Sequence, residues 1–247
     1  IIERNEHFQK LTPLGGDTNK KFEKFEGESV FTGYSRGFGT SRDQWIYNYD
    51  KDRLKENIKT LVYEYNALID STGNPFGSSV PWDQNLLKDL ENRIKLTYDQ
   101  DKIIKSLYRP FTKQWFYYDE KLIHEVARMS SLFPLISKRE NLLICVKGRG
   151  GSKAFSCLIT DSVIDLNSIG ATQCFPLYWY ENLSKTRIKN KQPSLFDNSE
   201  DFIRHDGISD YALGVAQSKY GSTVSKEDIF FYVYGFLHSP EYREKYI

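Results

Sequence analysis

The hydrophobic period changes twice along this chain, and those changes constrain its fold more than any other feature. In "DRLKENIKTLVYEYNALI", Leu54, Ile58, Leu61, Val62, Tyr65 and Leu68 recur every three or four positions. That spacing lays apolar side chains along one stripe of an α-helix. From Arg109 to Glu181 the pattern becomes short apolar runs between turn formers: "QWFYY", "NLLICVK", "AFSCLIT", "SVIDL" and "CFPLYWY". Aromatic and β-branched residues of this kind fit a pleated surface, so these runs predict strands. The helical period then returns. Ile208, Tyr211, Ala212, Val215 and Ala216 share a face, and "SKED" at Ser225–Asp228 spells a capping box ahead of Ile229, Phe230, Val233, Phe236 and Leu237. Ser239–Pro240 opens a last helix, with proline where a missing N–H costs nothing. The expectation is an α+β fold: N-terminal helices, a central mainly antiparallel sheet, and C-terminal helices.

The boundaries follow from the punctuation. Residues 1–50 are loop-rich, with "GGD" and "RGFGT" and at most one short strand; 51–107 form a helical linker region; 108–247 form the α+β domain. Within 51–107 the first helix stops before the turn formers "DSTGNPFGSSVP". A polar helix follows at about Asp83–Arg93, and a short one near Asp99–Leu107. Residues 182–199 are a basic, polar connection. The start "IIERNEHFQK" is charged and lacks Met, so it reads as neither a signal peptide nor a natural start, and the chain reads as a piece of something longer. No run approaches the roughly eighteen apolar residues a membrane helix needs. Cys145, Cys157 and Cys174 are odd in number and widely spaced, which argues against a disulfide framework and for a reducing cytoplasm.

The stretch "YRPFTKQWFYYDE" carries six rings in thirteen residues. Alternation sets Gln114, Phe116 and Tyr118 on one strand face and Trp115 and Tyr117 on the other. Each ring buried by flanking helices stabilises the fold by about 1.5–3 kcal/mol from area alone. Most of these rings are expected to be core, holding reading loops in place rather than stacking on bases, which is a single-strand device.

Catalytic motifs do not assemble. "GRGGSK" lacks the Gly-Lys-Ser/Thr ending and following helix of a phosphate loop, and an apparent strand follows it. "GNPFG" lacks the second proline of the Asn-Pro-Pro-aromatic signature of amino-methyltransferases and reads as a turn. Asp119-x-Lys121 has no upstream carboxylate with which to hold a hard cation. His7, His124, His205 and His238 lie far apart, with no Cys or His at a ligand spacing. No nucleophile-elbow sequence is present.

Cations are left. Net charge is only +1, yet residues 128–191 hold ten Lys and Arg against four Asp and Glu, while 192–247 hold five against nine. "KGRGGSK" supplies Lys147, Arg149 and Lys153 on a glycine-rich hairpin, and "KTRIKNK" supplies Lys185, Arg187, Lys189 and Lys191. Lys and Arg neutralise phosphates, Arg can read guanine bidentately, and a hairpin is thin enough for the major groove. Arg36 and Arg42 are further candidates. Ordinary charge for solubility is the alternative for each patch. A DNA-reading role requires the 147–153 and 185–191 segments to converge on one surface.

Four segments, "TSRDQWIYNYDKDRLKENI", "YRPFTKQWFYYDEKLI", "QCFPLYWYE" and "KEDIFFYVYGFLHSPEYREKY", carry a family likeness. With them the chain resembles the C-terminal part of single-polypeptide type ISP restriction–modification enzymes, often labelled predicted helicases. The resemblance implies a modular parent of nuclease, helicase-like translocase, adenine-N6 methyltransferase and target-recognition domain, with S-adenosylmethionine, ATP and Mg serving the other modules and no cofactor in this one. It implies double-stranded DNA and the methyltransferase domain of the same polypeptide as partners, and no membrane. No catalytic residue carries over, because no catalytic motif is matched. A non-catalytic target-recognition domain is one reading. A scaffold that couples methyltransferase and motor without reading DNA is the other, its acidic, aromatic C-terminal helices forming the interface.

Overall fold

A computed structural model describes residues 29–69, 71, 74–134, 140–148, 154–183 and 202–246. In chain order the elements are β1 (Ser35–Arg36), α1 (Asp43–Ile46), β2 (Tyr47–Asn48), α2 (Lys51–Ile69), α3 (Gln84–Glu91), β3 (Ile103–Arg109), β4 (Thr112–Tyr117), α4 (Met129–Leu132), β5 (Leu143–Val146), β6 (Cys157–Thr160), β7 (Val163–Ile164), β8 (Gln173–Pro176), β9 (Tyr178–Asn182), β10 (Phe202–Asp206), α5 (Asp210–Tyr220), α6 (Lys226–His238) and α7 (Pro240–Tyr246). The α+β class is the one the two period changes predict. Short 3-10 turns at Pro75–Gly77, Gln100–Lys102 and Glu120–Leu122 link some of these elements.

The elements gather into two compact units. Residues 37–126 and 163–168 make a helix–hairpin unit. The described residues of 1–36, 127–162 and 169–247 make a ribbon unit. The chain is therefore not divided at 107/108, because β3 lies before that point and pairs with β4 after it, from Ile103↔Tyr117 to Arg109↔Thr112.

In the helix–hairpin unit the sheet order is β2-β4-β3-β7, antiparallel except for the parallel β3–β7 pair. α2 buries Leu54, Ile58, Leu61, Tyr65 and Ile69, the predicted stripe with Ile69 replacing the half-buried Val62 and Leu68. α3 starts where Asp83 accepts a hydrogen bond from Leu86 N–H at 2.8 Å, an ordinary N-cap. The helix expected near Asp99–Leu107 is instead a 3-10 turn running into β3. Its Ile-Ile-Lys-Ser-Leu run fits either period, and the β4 partner decides in favour of strand.

Both faces of β4 are buried at its end: Phe116 and Tyr117 are fully buried and Tyr118 is nearly so. The ring of Phe116 lies 4.6 Å from those of Phe38 and Tyr47. Tyr117 stacks on Tyr98 at 6.0 Å, and its hydroxyl accepts from Asp99 N–H at 2.9 Å. Of the six rings in the Tyr108–Glu120 stretch, Phe116, Tyr117 and Tyr118 are core, Tyr108 and Trp115 are half-buried, and Phe111 is exposed.

In the ribbon unit the sheet order is β1-β8-β5-β6, antiparallel throughout, and β9 pairs with β10 as a separate two-stranded ribbon. The core joins Phe31, Ile144, Phe175 and Leu177 to Ile208, Ala212, Ile229 and Phe230 of the C-terminal segment. Ser225 caps α6 with both halves of the predicted box in place, and Ser209 caps α5. β8 runs through a bend at Leu177 into β9, fastened there by Leu177 N–H to the Leu142 carbonyl at 2.8 Å and Gly207 N–H to the Leu177 carbonyl at 2.7 Å. At Gly207 a side chain is impossible, because a Cβ would stand 1.9 Å from the Pro176 carbonyl oxygen. Strand β10 was not expected. "FIRHD" is mostly polar, and it becomes a strand because β9 offers it five consecutive partners.

Candidate nucleic-acid interface

Glycine and strand register together build the first cationic end. β5 and β6 pair from Leu143↔Thr160 to Val146↔Cys157, and Lys147 N–H continues the ladder to the Ser156 carbonyl at 3.0 Å. The "KGRGGSK" segment thus lies in sequence between two antiparallel strands, and its residues 149–153 are outside the described ones. Its base is pinned where Gly148 N–H donates to the Gly170 carbonyl at 3.1 Å. A Cβ at Gly148 would lie 2.0 Å from the Ala171 oxygen, so only glycine allows this approach. Arg36, Gln173, Val146 and Cys157 form one row across the four strands. The structure thus brings Arg36 and Lys147, both half-buried, to the same end of the sheet. Arg149 and Lys153 lie outside the described residues.

The second cationic segment leaves from elsewhere. Lys185, Arg187, Lys189 and Lys191 also lie outside the described residues, but the ribbon they emerge from is defined: β9 and β10 pair from Asp206↔Tyr178 to Phe202↔Asn182. Asn182 is nine residues beyond Gln173 along the β8–β9 path, at most about 30 Å of extended strand. The two segments are attached at opposite ends of that path, which bends at Leu177, and their expected convergence concerns residues that lie outside the described ones.

Arg42 is not a surface cation. Its side chain is 1% exposed and its guanidinium meets Asp83 at 2.6 Å, donates to the Leu122 carbonyl at 2.7 Å and reaches the Pro81 carbonyl at 3.4 Å. Burial lowers its pKa and Asp83 opposes that. With its donors spent on internal carbonyls, Arg42 holds α3 and the Leu122 turn in place and offers no charge to a phosphate. Sequence could not show this, because the partner lies forty-one positions away.

The motifs set aside as non-catalytic also have structural roles. Asp119 caps its turn by accepting from Lys121 N–H at 3.0 Å and pairs with Lys102 at 2.8 Å. Asn74 caps the Pro75–Gly77 turn, accepting from Phe76 N–H at 3.1 Å. His124 sits 3.3 Å from Asp83, His205 stacks on Trp179 and lies 3.1 Å from Glu181, and His238 meets the Tyr234 ring edge-on. His7 lies outside the described residues. No group of three or more metal-ligating side chains occurs among the described residues.

One polar cluster was missed. Arg109 pairs with Asp165 at 2.9 Å, packs over the Tyr108 ring at 3.9 Å and donates to the Tyr108 carbonyl at 2.7 Å. Tyr108 in turn donates to Asp43 at 3.0 Å, which Thr40 also contacts. Burial pushes the Asp165 carboxyl up to about 6, against the hydrogen bond from Asn167 N–H and the pull of Arg109. The cluster fixes Arg109 at the base of the β3–β4 turn. Its only signal in the sequence is the "YRPF" turn, easily absorbed into the run of rings.

The comparisons with known proteins bear on the whole chain. The family described as the Type ISP C-terminal specificity domain matches residues 29–247. No curated protein matches. Among solved structures, the cryoEM DrdV–DNA complex aligns over 100% of this chain at 29% identity and a TM-score of 0.80. The ATP-dependent Type ISP restriction–modification enzyme LlaBIII bound to DNA aligns over 98% at 27% and 0.75. A nuclease-deletion mutant of the Type ISP enzyme LlaGI, in complex with a DNA substrate mimic, aligns over 99% at 24% and 0.72, a likeness of fold alone. This chain spans 23%, 14% and 21% of those three chains.

Proposed function

The chain belongs to the Type ISP C-terminal specificity domain family, and from that premise we propose that it recognises a target sequence in double-stranded DNA on behalf of a larger single-chain restriction–modification enzyme, with no catalysis of its own. The observation that carries this reading is the match to a specificity domain over residues 29–247, supported by the fold it shares with chains solved on DNA. Methylation with S-adenosylmethionine, and ATP- and Mg-dependent translocation and cleavage, belong to the other modules of such a parent. The parent would work in the cytoplasm, where its DNA is. Among the described residues no helix is long and apolar enough to cross a membrane.

The ribbon unit supplies the means. Arg149, between β5 and β6 in the sequence, takes the role of base reader, with Lys147, Lys153 and Arg36 as phosphate contacts. Lys185, Arg187, Lys189 and Lys191 meet the backbone separately.

The test is selection of bound duplexes from a randomised pool by the full-length parent. A defined target sequence is expected. Arg149→Ala should relax preference at one base pair by about 1–3 kcal/mol. Lys185→Ala with Lys189→Ala should weaken all sequences alike and flatten the salt dependence. Undiminished sequence preference in the Arg149 variant would remove the β5–β6 hairpin as reader.

The coupling reading draws on a different surface. Tyr211, Val215 and Tyr220 on α5, and Phe231 and Tyr232 on α6, are exposed. An apolar face on the C-terminal helices suits a neighbouring module of the same polypeptide, such as its methyltransferase, and is compatible with DNA reading by the ribbons.

A further inference from the structure

We propose that the β3–β4 hairpin of the helix–hairpin unit is a second DNA-contacting element, with Phe111 as an apolar probe at its tip and Lys105 and Lys113 as phosphate contacts. This rests on the DNA-recognition reading and assigns to it a site that the sequence did not suggest.

The tip is a two-residue turn, since Arg109 and Thr112 face each other in the register and only Pro110 and Phe111 lie between them. Proline fixes its own φ and stiffens the turn. Phe111 has φ +60° and is 95% exposed. A positive φ after such a proline is ordinarily supplied by glycine or asparagine, and a bulky residue there is an outlier. The ring pays for that backbone with almost no packing against this chain, so the fold does not account for a phenylalanine.

The surroundings specify the occupant. The turn is held from below, because Arg109 is fixed by Asp165 and by the Tyr108 ring, and the strand register shifts between Leu107 and Arg109, which re-aims the tip. Leu107↔Lys113 and Lys105↔Trp115 are successive rows on one face of the hairpin. Lys105 and Lys113 are exposed there. Lys105 and Lys51 both lie over the Trp115 ring, at 3.9 and 4.7 Å, so the indole gathers positive charge below the tip. A partner must present anionic groups beside apolar or aromatic edges at the spacing of one hairpin. A DNA duplex does so, and its major groove admits a two-stranded ribbon.

The experiment uses the full-length parent and a fluorescent duplex carrying its selected site, with binding followed by anisotropy across a salt series. Phe111→Ala should weaken binding about tenfold with an unchanged salt slope, since an apolar contact releases no counterions. Lys105→Ala with Lys113→Ala should reduce the log–log slope by about 1.8, or about 0.9 for each cation. Phe111→Gly controls for folding: glycine accepts the positive φ, so this variant should melt no lower than wild type while losing the same affinity. Wild-type affinity and slope in all three variants overturn the hairpin assignment alone. If the variants keep DNA affinity but separate the modules of the parent in limited proteolysis, the tip docks on protein and the assignment also fails. A wild-type parent that prefers no duplex sequence overturns the recognition reading itself.

Discussion

In the helix–hairpin unit the buried carboxylates are met by cations: Asp83 by Arg42, Asp119 by Lys102 and Asp165 by Arg109. In the ribbon unit the same task falls to neutral groups. The Asn141 side chain donates to the Leu132 and Tyr178 carbonyls at 2.9 and 2.7 Å and accepts from the Leu142 and Tyr178 N–H groups at 2.8 and 3.0 Å. Lys226 pairs with Asp206 and Asp210 at the exposed ends of β10 and α5. The first interior is closed by charge, and in the second the Asn141 amide does this beside a core of aliphatic and phenylalanine side chains. Closure by charge depends on both partners and on their ionisation, whereas amide closure is indifferent to pH.

Three measurements can break that contrast. The largest effect is expected from Arg42→Met, which strands Asp83 with a side chain 9% exposed. Loss of one partner of a buried pair costs about 3–5 kcal/mol, read from the midpoint of urea unfolding. A loss under about 1 kcal/mol would mean that the pair is surplus to the fold. Asn141→Leu is next. It leaves two carbonyls and two N–H groups of the ribbon unit without partners, for a loss of about 3 kcal/mol, and that loss should be the same at pH 5 and pH 8.

The smallest effect is the most discriminating. Asp165 titrates near 6 in the folded chain, against an ordinary value of 3.8. The folded state therefore holds this proton more tightly than the unfolded state. The contribution is fully present below about pH 4 and is lost as pH rises through about 6, with a slope of at most about 1.4 kcal/mol per pH unit. Asp165→Asn should remove that slope from the stability profile between pH 4 and 6. An unchanged profile would place the titration elsewhere.

How far the sequence could be read follows from the range over which each signal acts. α2, the α6 capping box and strands β4–β6 and β8–β9 were legible because periodicity and caps are local. β3 was taken for a helix and β10 was missed, since each is decided by a partner strand: β4 across the turn for β3, and β9 across residues 183–201 for β10. Arg42 looked like a surface cation because nothing near it in sequence announces Asp83. The grouping of Arg36 with Lys147 was also beyond sequence, since it depends on β8 lying between β1 and β5. The Arg109–Asp165 pair joins positions fifty-six apart, and with it the case for the tip at Phe111.

The two ribbons end in fixed sockets, Val146↔Cys157 and Asn182↔Phe202, and the cation-bearing stretches are simply what is plugged between those ends. Closing a longer loop on a fixed base costs only about 0.6 kcal/mol for each doubling of its length. Under the proposed assignment of the reading residues, a lineage that exchanged residues 149–153 and 183–201 would change the words it reads in DNA while the pairs at those ends stayed as they are.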